Sequence, residues 1–124
     1  MNIVFATTEA VPFCKTGGLG DVCGALPVEL ERLGENPVVF LPAFRQALES
    51  GMPIEPTGIQ FRAPISRKLV AGELLKSRLP GSNVPVYLVK QDAYYNRAEL
   101  YREGGEDYAD NCERFTFFCR AVLE

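Results

Sequence analysis

A glycine-rich segment near the amino terminus carries the residues best suited to chemistry. It runs Lys15-Thr16-Gly17-Gly18-Leu19-Gly20-Asp21, and its glycines let a ligand approach the backbone closely. Lys15 adds a positive charge, and free N–H groups at the start of a helix attract anions. The segment therefore predicts a phosphate site. The alternative explanation is an ordinary turn between a strand and a helix, in which the glycines only supply positive φ angles.

Two familiar phosphate motifs do not fit this segment. A P-loop places its lysine after the glycines, whereas Lys15 precedes them. A dinucleotide-binding fingerprint requires G-x-G-x-x-G and an acidic residue after the second strand. Here Gly18, Gly20 and Gly24 are spaced one residue too widely, and the predicted second strand ends in Phe40-Leu41-Pro42. The P-loop is excluded, and a bound NAD or FAD is disfavoured.

The lack of histidine and the wide spacing of the cysteines limit the possible chemistry further. The chain has no histidine, which excludes a Ser/His/Asp centre or a His-ligated zinc site built from these residues alone. The four cysteines show no C-x-x-C spacing, and Cys112 and Cys119 lie about 10 Å apart along a helix, too far to share a metal ion. We expect reduced thiols, with Cys23, Cys112 and Cys119 as small core residues, and no cofactor.

Composition places the chain among folded globular domains. Its 124 residues are 47% hydrophobic and 23% charged, which excludes a disordered chain and allows one core. The net charge is -3 and no run of Lys or Arg occurs, so we expect no nucleic-acid partner. No apolar stretch approaches the roughly 18 to 20 residues that span a membrane, and no signal peptide is recognisable. A cytoplasmic protein is expected.

The first forty residues predict a βαβ unit. Residues 3–7 and 38–42 are predicted strands, and a helix ending at Gly34 lies between them. Pro27 should kink this helix or mark where its regular part begins. The two strands should be parallel, with the glycine segment at the carboxyl end of the first, where α/β sheets bind ligands. The predicted buried face of the helix comprises Val22, Ala25, Leu26, Leu30 and Leu33.

The remaining residues predict an antiparallel addition, another parallel strand and a closing helix. Residues 59–79 alternate as a pair of short strands, and residues 84–89 form a buried strand that returns to the parallel sheet. The chain ends inside the last helical pattern without a stop signal, which indicates a fragment. Residues predicted to face inward in the strand pair are Ile59, Phe61, Ala63, Ile65, Leu69, Ala71, Leu75 and Leu79. The predicted apolar stripe of the closing helix comprises Tyr108, Cys112, Phe115, Cys119 and Val122.

Several blocks follow the pattern of a known family. The strongest is the run from Thr8 to Val22, followed by Gly24-Ala25-Leu26-Pro27. Further blocks occur in the family's order, whereas residues 45–80 match least. The chain therefore resembles bacterial glycogen synthases and plant starch synthases over its whole length. The later blocks are Val84-Pro85-Val86-Tyr87-Leu88-Val89, Tyr95-Asn96-Arg97, Tyr108-Ala109-Asp110-Asn111 and Arg114-Phe115.

The resemblance implies a retaining glucosyltransferase. Such an enzyme transfers glucose from ADP-glucose to the non-reducing end of an α-1,4-glucan without a metal, in the cleft between two Rossmann-like domains of the GT-B type. Residues 1–124 would be an incomplete amino-terminal domain, a parallel α/β sheet with an antiparallel addition, and the second domain would be absent. We expect the segment alone to be inactive. The location would be cytoplasmic, or plastidic in a plant. The alternative is a freestanding sugar- or nucleotide-binding module without catalysis.

The same resemblance implies roles for residues of the glycine segment. Lys15, Gly17 and Gly18 would lie at the nucleotide diphosphate, and Asp21 would lie near the sugar nucleotide. Asp21 has an alternative explanation, because an acidic residue in a first helical turn complements the helix dipole.

Two residues further along the chain complete the predicted substrate-binding set. Tyr95 matches a block that faces the family's cleft, and Asn111 belongs to its Asp-Asn pair. Asn111 could instead cap the closing helix. We expect the neighbouring tyrosines Tyr94, Tyr101 and Tyr108 to hold a loop in place through half-buried rings.

Overall fold

A mixed sheet of five strands organises the chain, and the computed structural model describes all of residues 1–124. The strands, in chain order, are β1 (Asn2–Ala6), β2 (Asn36–Pro42), β3 (Glu55–Ile65), β4 (Lys68–Arg78) and β5 (Pro85–Lys90). Their order in the sheet is β1-β2-β5-β4-β3. β1, β2 and β5 are parallel, and β3 and β4 form an antiparallel hairpin beside β5. The predicted α/β sheet with an antiparallel addition is confirmed.

The parallel strands β2 and β5 lie side by side within the sheet. They are buried because each is a continuous apolar run. Val39 pairs with Val86, and Leu41 pairs with Leu88 in the next strand. All four side chains are fully buried. This pair of strands forms the middle of the core and fixes the position of the carboxyl ends of the sheet.

The hairpin of β3 and β4 follows the predicted alternation only in part. Ala63 and Ile65 are buried as predicted. Ile59 is 53% exposed, because the pairing register shifts between Pro56 and Gln60. Leu69 is also exposed, contrary to prediction, because it pairs with Pro64 on the outward face of the hairpin. Ala71 is likewise exposed, whereas Leu75 and Leu79 are buried as predicted.

The first helix, α1 (Gly18–Arg32), buries a face of small residues instead of the predicted apolar stripe. Gly20, Cys23 and Pro27 are buried. Pro27 lies within one continuous helix. The prediction for the large apolar residues was wrong: Leu30 is half-buried, and Val22, Ala25, Leu26 and Leu33 are exposed.

Close approach of the backbone explains why the small face of α1 is buried. The Val11 N–H donates to the carbonyl oxygen of Gly20 at 3.0 Å. A Cβ atom on Gly24 would lie 2.4 Å from Cγ2 of Val11 and 2.6 Å from its carbonyl oxygen. Only a face of small residues lets the helix lie this close to residues 11–15. The need for close contact outweighs the larger hydrophobic gain that the leucine stripe would offer.

The carboxyl end of α1 is where the sequence predicts it. Gly34 has φ +90°, a conformation that favours glycine. Its N–H donates to Glu31 O, and the Glu35 N–H donates to Leu30 O, both at 3.0 Å. This pair of hydrogen bonds is the Schellman arrangement, which satisfies the last carbonyl groups of the helix.

The closing helix, α4 (Asn111–Leu123), is rotated relative to the predicted stripe. Its buried residues are Arg114, Phe117 and Phe118. Phe117 stacks on Phe61 of β3 with ring centroids 5.9 Å apart. Gly72 leaves room for both rings, because a Cβ there would lie 2.7 Å from Phe61 and 3.0 Å from Phe117.

This rotation exposes two of the four thiols. Cys112 and Cys119 are exposed, contrary to the prediction of small core residues, and Cys14 and Cys23 are buried. All four thiols are free.

The remaining elements are short. They are α2 (Arg45–Leu48), α3 (Asp92–Tyr95) and a small hairpin of β6 (Arg102–Glu103) and β7 (Glu106–Asp107). None of the four helices combines the length and the apolar character needed to cross a bilayer.

We predict that Gly24→Ala destabilises the fold by about 1 to 3 kcal/mol, because the new methyl group overlaps a backbone carbonyl that cannot move freely. Gly18→Ala is the matched control, since its Cβ would meet nothing within 4 Å. It should change the free energy of unfolding by less than about 0.5 kcal/mol. Urea denaturation of both variants measures the difference, and equal effects would contradict the close approach of α1.

Candidate glycosyl-nucleotide site

The glycine loop, residues 15–20, comprises the residues just before α1 and the first turn of that helix, at the carboxyl end of the parallel strands. The Lys15 ammonium contacts both carboxylate oxygens of Asp21 at 2.9 Å, so the structure brings two of the predicted site residues together. Their side chains are 46% and 58% exposed. An exposed pair of this kind contributes at most about 1 kcal/mol. A stronger anion can therefore replace Asp21 beside Lys15 at little cost.

Gly17 and Gly18 are not explained by backbone conformation. Neither has a positive φ angle, so the turn explanation for these two glycines is wrong. A Cβ atom on either would meet nothing within 4 Å. By contrast, a Cβ on Gly20 would lie 3.0 Å from Cβ of Lys15. A side chain at position 20 would therefore crowd Lys15, whereas positions 17 and 18 have open space beside them.

The free N–H groups of the loop are fewer than the sequence suggested. Thr16 and Gly17 already donate their N–H groups to the Glu9 carboxylate. Gly18 and Leu19 find no acceptor in the chain, and no side chain caps the start of α1. The positive end of the α1 dipole therefore presents the Gly18 and Leu19 amides beside Lys15.

Glu9 is the site residue that sequence reasoning missed. Its side chain is nearly buried, at 4% exposure, and accepts four hydrogen bonds. Oε1 accepts the N–H groups of Thr16 at 2.8 Å and Gly17 at 3.1 Å. Oε2 accepts the hydroxyls of Thr16 at 2.8 Å and Tyr101 at 2.6 Å. Burial by itself would raise the pKa of Glu9, but these hydrogen bonds outweigh burial and lower the pKa below its usual value.

Tyr101 connects Glu9 to the closing helix. Its hydroxyl also lies 2.6 Å from the Thr8 hydroxyl, and burial together with the Glu9 charge raises its pKa. The Asn111 side-chain amide donates to the Tyr101 carbonyl oxygen at 2.9 Å. Asn111 is the first residue of α4 and makes no capping hydrogen bond, since Asp110 occupies the capping position. The Asn111 amide group thus contacts Tyr101 in this structure.

Tyr95 lies in the interior. It has no exposed surface, and its hydroxyl donates to the Arg114 carbonyl oxygen at 2.8 Å. Burial raises its pKa. A direct contact between this ring and a ligand would require the side chain to leave its place in the core. The structure therefore favours a packing role for Tyr95 over the direct substrate contact that the resemblance implies.

Arg114 holds the surroundings of Tyr95 together. The guanidinium is fully buried, and it donates to the Tyr94 carbonyl oxygen and to the Asn111 side-chain oxygen, both at 2.7 Å. Burial lowers the pKa of Arg114. Through these contacts Arg114 fixes α3, which carries Tyr95, against the start of α4.

Tyr101 and Tyr108 are half-buried in the segment between α3 and α4, as predicted, whereas Tyr94 is buried and lies in α3. Arg97 forms a two-point ion pair with Asp110, with both distances 2.6 Å. The guanidinium groups of Arg97 and Arg114 lie 4.9 Å and 4.8 Å from the centre of the Tyr108 ring. The Tyr94 hydroxyl donates to Glu113 at 2.6 Å. These contacts hold the segment between α3 and α4 together.

The six predicted site residues therefore form two groups joined by two residues that were not predicted to be site residues. Lys15, Gly17, Gly18 and Asp21 lie in or next to the glycine loop, and Tyr95 and Asn111 contact Arg114. Tyr101 and Glu9 connect the two groups. No set of three or more His, Cys, Asp or Glu side chains is placed to hold a metal ion.

Comparison with known proteins identifies the family. The sequence model of the starch synthase catalytic domain matches residues 2–124. The chain therefore belongs to the starch synthase catalytic domain family.

Relatives with glycogen synthase names support this assignment. The glycogen synthase of Rhodopirellula baltica is 48% identical over 132 residues, which cover 99% of this chain and 26% of that protein. Glycogen synthases of Elusimicrobium minutum and Syntrophotalea carbinolica are 44% and 41% identical, and the match spans 25% of each. The chain thus spans about a quarter of the length of these relatives.

A solved structure shows the same fold. It is the catalytic domain of starch synthase IV from Arabidopsis thaliana bound to ADP and acarbose. It aligns with a TM-score of 0.82 and 25% identity, covering 98% of this chain and 24% of that one.

We predict an acid-dependent contribution of Glu9 to stability. Because its pKa is lowered on folding, the contribution is complete above the unfolded value of about 4.3 and is lost as pH falls through the folded value. Glu9→Gln should cost about 1 to 3 kcal/mol at pH 7, and the difference should shrink between pH 5 and pH 3. Thermal unfolding across this range measures it, and a difference independent of pH would contradict the ionised, hydrogen-bonded carboxylate.

We predict that Tyr95→Phe lowers the free energy of unfolding by about 1 kcal/mol, because a buried hydrogen bond to Arg114 is lost. Tyr108→Phe is the control, since its hydroxyl accepts only a long 3.3 Å hydrogen bond from Glu99, and its cost should stay below about 0.5 kcal/mol. Chemical denaturation compares the two variants. Equal stabilities of Tyr95→Phe and the unsubstituted chain would argue against the packing role.

Proposed function

We propose that this chain is the amino-terminal part of a glycogen or starch synthase. The enzyme would transfer glucose from ADP-glucose to the non-reducing end of an α-1,4-glucan with retention of configuration. Residues 1–124 would form an incomplete first domain. The remaining catalytic groups would come from the rest of a protein about four times as long. That protein would be located in the cytoplasm or in a plastid. Family membership and the length of the matched relatives support this proposal.

The observation that carries the proposal is the open space beside Gly17 and Gly18. A Cβ atom at either position would meet no more distant part of the chain within 4 Å, and Lys15 and the free amides of Gly18 and Leu19 belong to the same loop. Positive charge, helix dipole and unused donors there suit an anion. The related starch synthase IV structure has ADP bound, and a nucleotide diphosphate is the anion that we assign to this space.

The Lys15–Asp21 pair suggests how binding would proceed. Lys15 would exchange the exposed Asp21 carboxylate for the diphosphate, whose greater charge makes a stronger contact. Asp21 would then be free to accept hydrogen bonds from hydroxyl groups of the sugar nucleotide. Lys15 and the α1 amides would also stabilise the charge that develops on the diphosphate as the glucosyl bond breaks.

Tyr95 and Asn111 would support this site without touching the ligand. Both contact Arg114, and Asn111 donates to Tyr101. We propose that they hold the wall of the site in position.

A hybrid enzyme tests the proposed function. In it, residues 2–124 replace the aligned quarter of the Rhodopirellula baltica glycogen synthase. We expect transfer of labelled glucose from ADP-glucose to a glucan primer, with a KM within about tenfold of the parent enzyme. A folded hybrid that neither binds ADP-glucose nor transfers glucose would overturn the proposal.

The isolated chain separates this function from that of a freestanding binding module. One glycine loop open to water should bind ADP-glucose only weakly, because solvent screens its charge contacts. Calorimetry should therefore give a dissociation constant well above the micromolar range, and no glucose should be transferred. A low-micromolar constant for the isolated chain would favour the binding module.

We predict that Lys15→Gln in the hybrid enzyme raises the KM for ADP-glucose roughly tenfold or more, because a charge-assisted contact contributes about 1.5 to 3 kcal/mol. Lys68→Gln is the control, because Lys68 also lies in an exposed ion pair, with Glu113 at 3.5 Å, but far from the loop in sequence and on β4. Initial-rate kinetics measure both variants. An unchanged KM for Lys15→Gln would exclude Lys15 as a ligand.

A further inference from the structure

Every group around the Glu9 carboxylate is a hydrogen-bond donor. Two backbone N–H groups and two hydroxyls point at its oxygens at 2.6 to 3.1 Å. An ionised carboxylate has acceptor capacity for all four and donates none. A glutamine could accept the two backbone N–H groups with its carbonyl oxygen, but its NH₂ group would then have to donate to the two hydroxyls and the negative charge would be lost. An aspartate is one methylene shorter. The arrangement therefore suits an ionised glutamate, whose charge strengthens all four hydrogen bonds.

Glu9 decides which loop amides face the ligand space. By accepting the Thr16 and Gly17 N–H groups it turns that part of the backbone inward. The next two amides, those of Gly18 and Leu19, are left without acceptors. Thr16 is bound twice by the carboxylate, and the neighbouring Lys15 N–H donates to Gln46 at 2.9 Å. The backbone on which the Lys15 side chain stands is thereby fixed.

Tyr101 extends this control beyond the loop. Tyr101 lies in the segment before α4, ninety-two residues from Glu9 in sequence, and its hydroxyl donates to the Glu9 carboxylate. The Tyr101 carbonyl is held by Asn111, and Asn111 is held by Arg114. A continuous series of hydrogen bonds therefore runs from the start of α4 to the glycine loop.

We propose that Glu9 is a positioning residue for the sugar-nucleotide site and that Tyr101 acts on the site through Glu9. The carboxylate occupies the inward amides of the glycine loop and thereby directs the Gly18 and Leu19 amides and Lys15 toward the diphosphate. It touches no substrate itself. This inference deepens the proposed function and rests on it.

Kinetics of the full-length enzyme test the inference, with the hybrid enzyme as host. Glu9→Gln should raise the KM for ADP-glucose at least tenfold, and the inhibition constant for ADP should rise by a similar factor. The KM for the glucan should change less than twofold. Tyr101→Phe should raise the KM for ADP-glucose about threefold. The double variant should be within twofold of Glu9→Gln alone, because the hydroxyl acts through the carboxylate.

Asp110→Asn separates positioning from general loss of stability. It removes a partly buried carboxylate from a two-point ion pair with Arg97 but leaves the bonds around Glu9 intact. It should lower the melting temperature while the KM for ADP-glucose stays within twofold of the unsubstituted enzyme. An equal rise in KM for Asp110→Asn and Glu9→Gln would overturn the inference.

The remaining outcomes are also decisive. If the unsubstituted hybrid is active but Glu9→Gln leaves the KM for ADP-glucose unchanged, the inference fails and the proposed function stands. If the unsubstituted hybrid folds but does not bind ADP-glucose, both fail. If Glu9→Gln does not fold, Tyr101→Phe decides, since it removes a single oxygen atom: an unchanged KM overturns the inference.

Discussion

The glycine loop keeps its shape because a buried carboxylate lies beneath it. An isolated charge in this position would be very costly to desolvate, and four donors directed at Glu9 offset that cost. These donors come from two parts of the chain. Thr16 and Gly17 precede α1, and Tyr101 comes from the segment that leads into α4. The carboxylate therefore ties the first and last thirds of the chain together at the carboxyl end of the sheet.

The close approach of α1 to residues 11–15 also determines where the glycine loop lies. A helix that carried its leucines inward could not lie this close to residues 11–15. The small residues Gly20 and Gly24 instead bring the helix backbone into direct contact with Lys15 and Val11. Leu19, Val22 and Leu26 are left exposed on the other faces of α1. In α1, close placement of the glycine loop takes precedence over maximal burial of apolar surface.

Charge is distributed to match this geometry. Glu9 is buried, and its hydrogen bonds lower its pKa. Asp21 is exposed and forms only a surface ion pair with Lys15. The two carboxylates are twelve residues apart in sequence and flank the same loop, yet burial assigns them different roles. One accepts hydrogen bonds from the backbone of the loop, and the other forms an ion pair that solvent reaches.

Local sequence determined the strands, the end of α1 and the glycine loop. The apolar runs of β1, β2 and β5 and the glycine at position 34 each act over a few residues, and the order of motifs was sufficient to indicate the family. Tertiary structure alone decided which faces of α1 and α4 are buried, because Gly24 and Phe117 find their partners in Val11 and Phe61, distant in sequence. It also decided that Tyr95 is internal and that Glu9 accepts from Tyr101. Residue types and their spacing predict local elements. Hydrogen-bond partners depend on distant chain segments that only the complete fold brings together.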